Sequence, residues 1–85
     1  MEFRWDPLKS DKLKKERGVS FEEILRLRFL GVQVHPNRAH QVVLLFEIEG
    51  YVWVVPAVAQ GRELFLKTLF PSRKYTKIWK RGGLR

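Results

Sequence analysis

Residues 41–70, QVVLLFEIEGYVWVVPAVAQGRELFLKTLF, decide the fold. They divide into three strand-like runs, 41–49, 51–59 and 62–70, rich in β-branched and aromatic side chains. Glu49-Gly50 and Gln60-Gly61 join the runs, and glycine at so short a connection marks an antiparallel hairpin. The reading is a meander, with residues 32–34 as a further short strand and 35–40, HPNRAH, as the loop between. Pro56 cannot donate to a ladder, so it predicts an edge position or a bulge in the middle run.

Upstream, residues 2–5 form a short aromatic stretch that can pair as a strand. Asp6-Pro7 starts a helix, because Asp accepts bonds from first-turn amides and Pro at the first helical position forgoes a donor that has no partner there. That helix should reach Arg17 and stop at Gly18. Its apolar face is only Leu8 and Leu13, which places it on the surface with Lys9, Lys12, Lys14 and Lys15 solvated. In VSFEEI, residues 19–24, Ser20 caps a second helix, Glu23 closes a capping box and Val19 can staple onto Ile24. Phe21, Ile24, Leu25 and the apolar run 27–30 extend this helix to Gly31, and its broad apolar face should cover the sheet. Downstream, Pro71-Ser72 opens a last helix with Tyr75, Ile78 and Trp79 along one side, ended by Gly82-Gly83. The order is β-α-α, an antiparallel meander of three to four strands, then a short C-terminal helix. This is a single α+β domain over residues 1–85, with one sheet face covered and the other open.

The charge lies at one end. From Arg62 to Arg85 eight basic residues face one acid, Glu63, so this end holds +7 of the net +8. A pI near 10.3 points to an anionic partner. The chain is 45% hydrophobic and 13% aromatic, the composition of a folded protein rather than a disordered one. No Cys is present, so disulfides and thiolate metal sites are excluded, which fits a reducing cytosol. The N-terminus has no apolar signal region, and the longest apolar run, 51–59, is too short to span a bilayer; the expectation is a soluble cytoplasmic protein without a membrane partner.

The opening FRWDPLKSDKLKKERGVSFEE (3–23) resembles the start of BrnT-type toxins, with its aromatic-Trp-Asp strand end and Gly-Val-Ser-Phe-Glu-Glu helix start. The closing FLKTLFPSRKYTK (65–77) resembles the strand-to-helix corner of the same broad group, where a small residue, Arg and Lys begin the last helix. The better-known members carry more Arg along the last strand, where this chain offers Lys67 and Thr68. The resemblance implies a RelE-like fold, an endoribonuclease of a type II toxin-antitoxin system that needs no metal or other cofactor, and a cognate antitoxin, often a ribbon-helix-helix DNA-binding protein.

Metal-free RNA cleavage needs a base for the 2′-hydroxyl, cations or amides for the pentacovalent phosphate, and an acid for the leaving oxygen. Arg73 and Lys74 stand in the first turn of the last helix, where free amides also favour phosphate, and Arg73 adds a planar fork. Strand alternation sets Lys67 on the face of Phe65 and Leu69, either as an edge charge or as the cation of an RNA-facing surface. His35, His40 and Glu47 are the candidates for proton transfer. For each the ordinary alternative is a surface group, Glu47 paired to Lys67 or Arg62 across strands. Two histidines without Cys or a third ligand make no zinc motif. Tyr75, Trp79 and Trp53 could stack on unpaired bases, although the spacing of Tyr75, Ile78 and Trp79 suits core packing first. Arg38, Lys77, Lys80 and Arg81 complete the candidate RNA contacts. The rival reading is a basic binding module that uses the same helix on nucleic acid or an acidic antitoxin segment without cutting.

Overall fold

The computed structural model describes residues 2–38 and 40–84; Arg85, counted above in the C-terminal charge, lies outside them. In chain order the elements are β1 (Glu2–Arg4), α1 (Pro7–Arg17), α2 (Phe21–Ile24), β2 (Arg28–Val34), β3 (Gln41–Ile48), β4 (Tyr51–Gln60), β5 (Glu63–Leu66), β6 (Phe70–Pro71) and α3 (Arg73–Lys80). The sheet runs β1-β5-β4-β3-β2, with β6 pairing β4 beyond the end of β5. β1 lies parallel to β5 and every other pair is antiparallel, so this is a mixed α+β sheet.

The local signals act where the sequence sets them. Asp6 Oδ1 accepts the Leu8 N–H at 2.9 Å, and Gly18, at φ 80°, returns its N–H to the Lys14 carbonyl and ends α1. Ser20 and Glu23 form the reciprocal capping box at α2. Glu49 and Gly50, at φ 51° and 82°, make the two-residue turn between β3 and β4, and both conformations belong to a primed hairpin turn. The β4–β5 turn is centred one residue later than expected, on Gly61 and Arg62.

Between α1 and α2 sits Ser10, which is fully buried. Its hydroxyl accepts the Phe21 N–H at 3.0 Å and donates to the Glu22 carboxylate. That hydrogen bond holds the Glu22 pKa below the usual carboxylate range; Lys14, 2.8 Å away, and the Ser20 amide do the same for Glu23.

The run 62–70 is split into β5 and β6, so the sheet has six strands, more than the expected first strand and meander of three to four. Two further expectations fail here. The second helix stops at Ile24 instead of running to Gly31, because residues 28–34 form β2 and pair with β3. The apolar run that suited a helix face is divided: Phe29 turns to the α2 face, whereas Leu30, inside a bulge between Phe29 and Gly31, packs on the other. A short apolar run fits a buried strand as well as a helix, and pairing decides. Pro56, in turn, lies in the central strand β4. Its carbonyl accepts the Lys67 N–H at 2.9 Å, so the missing Pro56 donor falls on the same side, where β5 has ended and β6 has not begun. The proline thus occupies a gap in the ladder.

Helices pack on both faces, which corrects the expectation of an open one. Leu13, Phe21 and Ile24 bury Leu44, Phe46, Val55, Ala57, Leu64, Leu66 and Leu69 on the first face. On the second, Tyr75 and Trp79 of α3 pack with Leu45, Val52 and Val54. Ser72 caps α3 by accepting the Tyr75 N–H, and Gly82 and Gly83 close it through bonds to the Trp79 and Ile78 carbonyls. α3 is eight residues long and leaves the sheet around Val43, Pro56 and Val58 uncovered. No helix among the described residues is long and apolar enough to cross a membrane.

Candidate nucleic-acid interface

The uncovered part of the second face is a concave site of 420 Å³ between α3, the sheet and His35-Pro36 at the end of β2. Strand alternation builds its floor: Val43 of β3 lies opposite Pro56 of β4, and Gln41 opposite Val58. Gln33 of β2 lies opposite Val43, while His35, Lys67 and Tyr75 complete the rim. Three of the candidates named from sequence therefore meet in one cleft.

Each is held by a local cause. The Lys67 backbone is fixed to Pro56 in the ladder gap, and its exposed ammonium lies 5.5 Å from the Phe65 ring. Leu69 does not share their face, because the chain leaves the ladder after Leu66 and turns Leu69 into the α1/α2 core. His35 Nδ1 accepts the Asn37 N–H at 3.1 Å, so the neutral ring carries its proton on Nε2. Tyr75 is half-buried against the sheet and also borders the cleft, so packing and stacking are compatible; the Lys74 ammonium is 5.5 Å from its ring.

Other candidates lie elsewhere. His40 borders a separate hollow with Val58 and Gly61, and its carbonyl accepts the Ala59 N–H at 2.7 Å. Glu47 pairs with Arg28 at 3.0 Å, not with Lys67 or Arg62, and also accepts the Gly50 N–H. It sits opposite Val52, four residues along β4 from Pro56, or about 13 Å at strand rise. Trp53 packs in the α1/α2 core on the opposite sheet face, which removes it from any surface shared with Lys67. Trp79 is packed against Leu45 and Val54 with the Arg28 guanidinium 5.9 Å from its ring. Arg38 is exposed in the loop beyond the cleft lining.

Arg73, Lys74, Lys77, Lys80 and Arg81 are all exposed along or just after α3. Among the described residues the ion pairs are Arg4–Glu63, Lys14–Glu23 and Arg28–Glu47, so these five cations and Lys67 are uncompensated. The cleft lining contains no carboxylate. No group of His, Asp and Glu among the described residues could hold a metal ion.

Gln33 and Gln41 were missed in the sequence. Their signal was present: they are amides in otherwise apolar strands, and the β2–β3 register sets both on the cleft face. Side-chain amides there can donate to and accept from a planar polar ligand. No protein-family model, curated protein or solved structure matches this chain.

Proposed function

We propose that this chain is a metal-independent endoribonuclease toxin with a RelE-like, BrnT-like fold, acting in the cytoplasm and restrained by a cognate antitoxin, such as a ribbon-helix-helix protein. The observation that carries the reading is the meeting of Lys67, His35 and Tyr75 in one cleft beside the uncompensated cations of α3. A phosphate-rich strand tracks α3, an unpaired base enters the apolar-floored cleft against Tyr75, and the 2′-hydroxyl attacks the adjacent phosphorus. The attack breaks the phosphorus bond to the 5′-oxygen of the next nucleotide, which leaves as a hydroxyl while a 2′,3′-cyclic phosphate remains. His35 exchanges protons with the reacting oxygens, while Lys67 and Arg73 stabilise the charge on the phosphorane. His40, Glu47 and Trp53 have no part in this scheme.

The test is incubation of the purified chain with end-labelled single-stranded RNA in EDTA, beside Arg73→Ala and Lys67→Ala. Cleavage by the parent with cyclic or 3′-phosphate ends, weakened at least about tenfold in both variants, supports the reading. Undiminished cleavage by Arg73→Ala and Lys67→Ala would remove both from the mechanism.

A second reading is favoured by the absence of a carboxylate from the cleft: a basic module that binds single-stranded RNA without cutting it. RNA that shifts on a gel but stays intact, with and without ribosomes, selects this alternative.

A further inference from the structure

We propose that the outer edge of β2 accepts an extended segment of another polypeptide, apolar at its centre and acidic at its flanks, which joins the sheet as an added strand. β2 closes the strand order and, among the described residues, pairs only with β3, so its other edge presents unpaired backbone donors and acceptors. The bulge is confined to the start of the strand. From Gly31 to Val34 the register against β3 is regular, and these residues carry neither charge nor proline, the usual means of blunting an edge.

The adjoining surface is apolar. Phe29, Val32 and Val34 are 54%, 43% and 63% exposed on the α2 face. Phe29 and Val32 border a groove of 340 Å³ whose floor includes Leu44 and Phe46. An added strand would lay one row of side chains against Phe29, Val32 and Val34 while its backbone completes the ladder, the two-part recognition of strand addition.

Charge selects the occupant. Residues 25–46 contain Arg26, Arg28 and Arg38 and no acid, and among the described residues only Arg28 of the three is ion-paired, with Glu47. A second copy fits poorly, since it would bring Arg26, Arg28 and Arg38 of one chain up to the same acid-free stretch of the other, between chains of net charge +8. A segment with acidic flanks meets these arginines with opposite sign. The apolar face used here lies on the α2 side of the sheet, opposite α3, so the inference stands whether or not the chain cuts RNA.

The experiment is an NMR titration of the isotope-labelled chain with the peptide EEVLVLVEE, to about 1 mM, with KKVLVLVKK as control. The expected result is amide shifts concentrated in residues 28–34, slowed hydrogen exchange there, and no response to the lysine peptide. Val32→Lys, a change at an exposed position, should weaken binding at least about fivefold while the rest of the spectrum persists. Shifts confined to α3, equal binding of both peptides, or no shift at the highest concentration would each overturn the proposal. A dimer of the free chain in sedimentation, broken by Val34→Lys, would also overturn it in favour of a second copy.

Discussion

The Val52 N–H donates to Thr76 Oγ1 at 2.8 Å, and the same hydroxyl donates to the Ser72 carbonyl at 2.6 Å. One buried side chain thereby joins the central strand β4 to the first turn of α3. The Ser72 N–H completes the link by donating to the Val52 carbonyl. The helix that carries the exposed cations is therefore seated on the sheet by hydrogen bonds as well as by Tyr75 and Trp79.

Thr76→Val keeps the shape and removes the hydroxyl. It leaves the buried Val52 N–H without its acceptor, which costs about 1–3 kcal/mol. Urea denaturation should show that loss, with Thr76→Ser retaining most of the parent stability. Equal midpoints for Thr76→Val and the parent would mean that packing alone seats α3.

Acid should loosen the junction of α1 with α2. Glu22 and Glu23 both have pKa values lowered in the fold, by the Ser10 hydroxyl and by Lys14 respectively. A depressed carboxylate contributes stability that is fully present above its unfolded value, ordinarily 4.5, and is lost as pH falls through the lower folded value. Melting temperature should therefore drop below about pH 5, and the Glu22→Gln/Glu23→Gln variant should start lower and fall less over that range. A parallel fall in both proteins would assign the acid limb to other carboxylates.

The legible parts of this fold were those decided within a few residues. Asp6-Pro7, the Ser20–Glu23 box, Glu49-Gly50 and Ser72 act through bonds spanning two to four positions, and each stands where its residue type places it. Residues 27–30 were misread because strand partners 17 and 19 positions away, in β3, decide their conformation, and helical spacing carries no trace of them. Pro56 looked out of place for the same reason, since the gap that tolerates it depends on where β5 and β6 end. In the site, Lys67 and Tyr75 were readable from charge and local spacing. The separation of His35 from His40, and the loss of Trp53 to the opposite face, depend on register and loop course.

RNA affinity should depend on salt through α3. Each phosphate contact with a single strand contributes about −0.7 to the slope of log K against log salt concentration. Replacing Lys77 and Lys80 together by Gln should flatten the slope by about 1.4 if both contact phosphates, without changing the melting temperature by more than a few degrees, because both are exposed and unpaired. An unchanged slope, measured by fluorescence anisotropy, would move the phosphate track off this helix.

The two histidines offer the sharpest contrast. His35 borders the cleft with Lys67 and Tyr75, whereas His40 borders a different hollow near Gly61. General acid–base catalysis by one imidazole is worth about 10²–10⁴ in rate. His35→Ala should lose cleavage by at least the lower of these factors, while His40→Ala, which keeps its carbonyl bond from Ala59, should cleave at close to the parent rate. Single-turnover measurement with saturating enzyme separates this loss from weaker binding. If His40→Ala is the inactive variant, proton transfer lies at the Gly61 end of the sheet and not in the cleft that Lys67 borders. If both variants cut like the parent, no histidine takes part, and the cleft acts by holding the strand against its cations.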